Sequence, residues 1–221
     1  MMKKSVILYF LFLLALFWFF GCAGYKRGYY SWPYTSDKDT VIPSPNSPYE
    51  MNKSKILGFN DFLIYISLKN EIQTSDMTYF LLLPVPESLE DKPQYDKTMS
   101  NFFISLAVWP KIEGMVLEQD KIRLNIDGMP LSVKEARYTS TERINYWYYG
   151  NDHVRQLPLV KGGKTLLEKS KWNYFAIYFK GQVPGVDQDI QLDLANAISL
   201  PEGLSIPIIL FKKVRYGKWY S

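Results

Sequence analysis

Cysteine and histidine are almost absent from this 221-residue chain: each occurs once, as Cys22 and His153. One cysteine excludes an intramolecular disulfide and any thiolate cage for a metal, so the fold must rest on its apolar core. One histidine removes the usual zinc ligand sets and leaves a single imidazole for proton transfer. A marked excess of charge is missing too, since 26 Lys and Arg oppose 22 Asp and Glu, a formal net charge of +4. Nucleic-acid binding calls for a concentrated basic face, and this near balance argues against it. Sustained apolar spacing of 3.6 residues is lacking as well, which argues against a helical domain.

The catalytic and nucleotide-binding patterns are equally sparse. His153 lies in the polar stretch "YGNDHVRQ" beside Asn151 and Asp152, and no Gly-x-Ser-x-Gly elbow supplies a nucleophile for it. It reads as a solvated loop residue. "KGGKTLL" contains Gly163-Lys164-Thr165, but a P-loop needs a further glycine where this chain has Pro158. That stretch reads as a turn. Asp187, Asp189 and Asp193 share one face if extended, and could offer oxygens to calcium, yet no EF-hand loop surrounds them. Charged residues on an exposed strand face are the simpler reading. As a carboxylate pair for glycoside hydrolysis they carry little weight among 22 acids, and a hydrolase is the lesser alternative. No catalytic residue, metal or cofactor is expected.

What the chain does have is aromatic side chains, 17 Tyr, 13 Phe and 6 Trp, and many short alternating segments. Phe62, Ile64, Ile66 and Leu68 alternate with Leu63, Tyr65 and Ser67, and "MTYFLLLP" ends at Pro84. Phe102, Ile104, Leu106 and Val108 form the apolar side of a strand stopped by Pro110. Ile122, Leu124 and Ile126 run into Asp127-Gly128, a two-residue turn signal, and return through Leu131 and Val133. "RINYWYYG", "WNYFAIYFKG", "DIQLDLA" and "SIPIILFKKVRY" follow in the same style. Short strands punctuated by Pro, Gly and Asp predict a mostly β domain over residues 53–221. The expected form is an antiparallel, immunoglobulin-like β-sandwich, with a small β-barrel as the alternative. Short helices are expected in 87–101 and in "GGKTLLEKS".

The first residues differ in kind. Met1-Met2-Lys3-Lys4 precedes an apolar run from Val6 to Phe20, and small residues surround Cys22. The run is 15 residues long, about 22 Å as a helix, which is short of the ~30 Å hydrocarbon core. A positive start, an apolar centre and a small-residue exit describe an export signal.

Here residues 1–24 resemble bacterial lipoprotein signal peptides. Their lipobox ends in a small residue, here Gly21, followed by a cysteine, here Cys22, whose thiol receives a diacylglycerol before cleavage. The resemblance implies a signal over 1–21 and a lipid-anchored, N-acylated Cys22, palmitate being one such acyl chain. Ala23 stands where an aspartate commonly retains such proteins in the inner membrane, which favours the outer membrane if the cell is Gram-negative. The alternative is an uncleaved N-terminal helix in the inner membrane. Lys3 and Lys4 keep the same cytoplasmic side in both readings.

Residues 22–52 hold Pro33, Pro43, Pro45 and Pro48 among Gly, Ser and Tyr, and are expected to be the lipidated cysteine and a flexible tether. Candidate binding residues are Tyr146, Trp147, Tyr148 and Tyr149, with Trp219 and Tyr220 near the C-terminus. Flat aromatics with polar tips suit protein hot spots or sugar stacking. The function expected is binding to another cell-envelope protein during assembly. Capture of a glycan or small ligand is the alternative.

Overall fold

The computed structural model describes residues 23–36, 56–80, 83–88, 92–93, 101–141, 157–160, 163–199 and 206–220. Their strands are β1 (Ala23–Thr35), β2 (Ile56–Gly58), β3 (Phe62–Leu68), β4 (Ile72–Phe80) and β5 (Leu83–Ser88). Then come β6 (Lys92–Pro93), β7 (Asn101–Pro110), β8 (Val116–Glu118), β9 (Arg123–Ile126) and β10 (Met129–Thr141). The last five are β11 (Lys164–Leu166), β12 (Trp172–Lys180), β13 (Ile190–Asp193), β14 (Ile198–Ser199) and β15 (Ile209–Tyr220). The chain is mostly β, as expected, and every strand pairing is antiparallel.

One continuous path of strands runs β2-β3-β7-β12-β10-β9-β13-β15-β1-β4-β5, with β6 beside β4, and β11-β8-β14 form a small second sheet. The long strand β10 is the corner. Its residues 129–132 pair with β9, whereas from Val133 onward it pairs with β12, and a register shift falls between Val133 and Glu135. An extra residue at such a point bends the strand and raises its twist, so the path folds over on itself as a β-sandwich open on one side.

The two halves share one core. Ile64, Ile66, Leu106, Phe175 and Ile177 from one side cluster with Leu124, Ile190, Leu192, Ile209 and Phe211 from the other. β9 and β13 show why: their apolar residues alternate with polar ones, so Leu124, Ile190 and Leu192 turn inward while Arg123 faces water. β3, β7 and β12 are instead buried on both faces. Their outer side carries Tyr65, Ala107, Trp172 and Tyr174, covered by Leu157 and flanked by Trp109. Asp127 and Gly128 take φ of 50° and 80° in the β9–β10 turn, the left-handed pair that such a tight hairpin demands.

Three expectations need correction. The tether is, from Ala23 to Thr35, a strand between β15 and β4, with Trp32 and Tyr30 buried. Burial of those two rings outweighs the single Pro33. The stretch around "MTYFLLLP" is a hairpin, not one strand: β4 and β5 pair with Phe80 opposite Leu83. The helix expected near Lys164 is β11 followed by a turn at Lys169 and Ser170. Lys164 to Leu166 complete a sheet with β8, and that pairing decides their conformation.

Candidate functional site

β15 pairs with β13 only as far as Phe211, yet continues to Tyr220, about 30 Å further at ~3.3 Å per residue. Over that length its partner is β1, and β1 in turn is flanked by β4. The result is an arm of β15, β1, β4 and β5 extending from the sandwich.

Period-two alternation gives the arm two unlike faces. Tyr30 and Trp32 on β1 meet Val214 and Tyr216 on β15 in a small buried cluster. The Tyr30 ring lies 5.7 Å from that of Trp32 and 5.9 Å from that of Tyr216. Gly28 stands opposite Tyr216, and a Cβ there would come within 2.7 Å of the tyrosine ring. Only glycine lets that ring lie on the backbone. Burial, then the nearby Glu71 carboxylate, pushes the Tyr30 phenol far above its ordinary value, so it remains neutral. Glu71 itself accepts a hydrogen bond from the Tyr216 hydroxyl. At the base of the arm, Asn70 receives the Ser31 N–H and donates to Ser31 Oγ and to the Pro184 carbonyl, which ties β1 to the sandwich.

The other face carries Tyr25, Arg27 and Tyr29 from β1 with Lys213 and Arg215 from β15. Tyr29 is opposite Arg215 in the register. Lys213 sits 4.3 Å over the Tyr29 ring and Arg27 lies 5.1 Å from the Tyr25 ring. On the arm's edge Lys212 approaches Tyr34 at 4.8 Å. β1 and β15 together contain Lys26, Arg27, Lys212, Lys213, Arg215 and Lys218, and no acid. Lys213 reaches outward to Asp187 at 2.7 Å. The strongly basic edge also discourages another chain from adding to β15 as a strand. Cations set over aromatic faces on a rigid ribbon present a preorganised surface for acidic, planar groups.

Trp219 and Tyr220 lie on β15 at the arm's tip, their backbones opposite Tyr25 and Gly24. Cys22, Tyr146, Trp147, Tyr148, Tyr149 and His153 lie outside the described residues. The three candidate calcium ligands are separately engaged. Asp187 pairs with Lys213, Asp189 accepts from Gln191 Nε2 at 2.9 Å, and Asp193 accepts the Ala195 N–H at 2.9 Å. Among the described residues no group of three or more His, Cys, Asp or Glu is placed to hold a metal ion. Among them also, no helix is long and apolar enough to cross a membrane. Sequence reasoning missed Tyr25, Arg27, Tyr29, Lys213 and Arg215. The signal was there, in the alternation of "YKRGYYSW", but Pro33 and the proline-rich stretch after it masked it.

A separate amine is unusual. Burial beside Phe103, whose ring is 5.3 Å away, lowers Lys69 to about 8. The unfolded chain keeps that proton to its ordinary value, so the folded state binds fewer protons between the two, and stability rises with pH there. The window closes near pH ~10, where the raised phenols of Tyr138 and Tyr174 act in the opposite direction. Thermal melts are expected to show a midpoint that climbs from pH ~8 to ~10, and to show a flatter profile in Lys69→Met. Equal slopes would refute it.

The chain matches no protein-family model and none of the curated proteins. Among solved structures it is similar to an uncharacterized β-sandwich protein from Clostridium difficile 630, at 12% identity, covering 75% of this chain and 89% of that one, with a TM-score of 0.28. A likeness that distant carries no argument, and the fold stands on its own strand pairing.

Proposed function

We propose that this chain is a lipid-anchored cell-envelope protein whose β-sandwich is a non-catalytic binding and assembly module for another envelope component. Export and lipidation at Cys22 rest on the lipobox resemblance, and an outer-membrane address, in a Gram-negative cell, rests on Ala23. The observation that carries the binding role is the ladder of half-buried Tyr25, Arg27 and Tyr29 with exposed Lys213 and Arg215, backed by the buried cluster on the opposite face. Tyr and Arg are the residues that dominate protein hot spots, and a rigid strand pair holds them with little entropy left to lose. The partner that fits is a protein with an acidic patch.

Two measurements test this. Cys22→Ser is expected to move the chain from the membrane fraction to the soluble one and to abolish the mass increment of the acyl chains. Arg27→Glu with Arg215→Glu is expected to lose, by ten-fold or more, whatever protein co-purifies with the wild type from gently solubilised membranes; reversing exposed charges at an interface costs several kcal/mol. Retention of the same partner by the charge-reversed chain would refute the assignment of this face.

A further inference from the structure

We infer that the tip of the arm is a bilayer-contact element, so that the protein touches the membrane with protein as well as with its lipid. This rests on the anchoring reading above. Its basis is the strand register. Ala23, the first residue of β1, is opposite Tyr79 on β4, and the β4–β5 hairpin closes one residue later with Phe80 opposite Leu83. Gly24 is opposite Tyr220, and Tyr25 is opposite Trp219. Whatever holds Cys22 at the membrane therefore holds Tyr79, Phe80, Leu83, Trp219 and Tyr220 there, because no linker separates Cys22 from the strand.

Those residue types are the ones that partition to a lipid–water boundary: Phe and Leu among the acyl chains, Trp and Tyr at the headgroups. The charges follow the same plan. Lys26 pairs with Lys218 across the β1–β15 ladder, two or three residues behind the tip, with Arg27 next. Asp76 stands opposite Lys26 in the register of β4. A cation near an anionic surface contributes attraction that fades within a Debye length, so this set acts on headgroups and not on the distant sandwich. An apolar end backed by cations matches an anionic bilayer, and Tyr29, Lys213 and Arg215 lie further along the arm.

The test uses the full chain, acylated in its host and reconstituted in vesicles of phosphatidylethanolamine and phosphatidylglycerol. Phe80→Cys and Leu83→Cys, made separately, carry an environment-sensitive fluorophore, and Leu166→Cys serves as the reference. Leu166 is 68% exposed in the small sheet and belongs to none of the arm strands. Labels at residues 80 and 83 are expected to emit to the blue and to be quenched by nitroxide lipids several-fold more than the label at 166. Either variant suffices if the other misfolds by circular dichroism. Arm labels quenched no more than the reference, on vesicles that retain the protein, overturn the bilayer contact and leave the anchor standing. A chain of unmodified mass that remains in the soluble fraction overturns both.

Discussion

Trp32→Ala is expected to lower the unfolding free energy by about 3–5 kcal/mol, the range for truncating a buried aromatic. Trp32 is 1% exposed and packs with Tyr30, Val214 and Tyr216. Its removal empties one end of the buried cluster that joins β1 to β15 in the arm. A residue of a flexible tether would instead change stability by less than about 0.5 kcal/mol. The indole Nε1 is buried without a hydrogen-bond partner among the described residues. Trp32→Phe keeps a ring and deletes that donor, so it is expected to stay within about 1 kcal/mol of the wild type. Urea titration with an unchanged slope separates the outcomes. A Trp32→Ala chain as stable as the parent would return 23–35 to the tether.

Asn173→Leu carries a comparable effect for a different reason. Asn173 is fully buried on β12 and every polar atom of its side chain is used. Its Oδ1 accepts from the Tyr138 hydroxyl at 2.9 Å and from the Glu168 N–H at 2.8 Å. Its Nδ2 donates to the Glu168 carbonyl at 2.8 Å, the Lys171 carbonyl at 3.0 Å and, more weakly, the Val108 carbonyl at 3.4 Å. Leucine has the right size but strands all of these groups, at about 1–3 kcal/mol for each that remains dry, so a total loss of about 3–4 kcal/mol is expected. Asn173→Asp sharpens the test. It turns an oxygen toward carbonyls, so the substituted acid is more easily protonated folded than unfolded. That variant is expected to regain stability as the pH falls, a trend opposite to ordinary acid denaturation. An acid-insensitive variant would show that the amide is not the donor.

Strand content was legible because the alternation is strong where one face is wet, as in Leu124, Ile126, Ile190 and Leu192. Asp127-Gly128 announced its hairpin in two letters. β3, β7 and β12 were legible as strands too, but nothing local says that their second face is covered, because Tyr65 and Trp172 pattern as easily outward as inward. β1 was hidden by composition. Its glycines and proline look like a linker, whereas Gly28 is there to admit the Tyr216 ring, a partner 188 positions away in the sequence. The binding face was hidden with it, since Arg27 and Arg215 become neighbours only through that distant pairing. Trp219 and Tyr220 were singled out for their aromatic character. Their place opposite Tyr25 and Gly24, two or three positions on from Cys22, emerges only from the register.

The position of β1 also sets a timetable. Its flank toward β4 can zip early, but its other flank waits for β15, the last in order of the described strands. Joining Gly24 to Tyr220 closes a loop of nearly the whole chain, and contacts so remote in sequence form slowly. Until β15 is in place, the sheet has a gap beside β1. On the proposed export route, in which a chain crosses a membrane as an unfolded thread, that gap is a built-in delay.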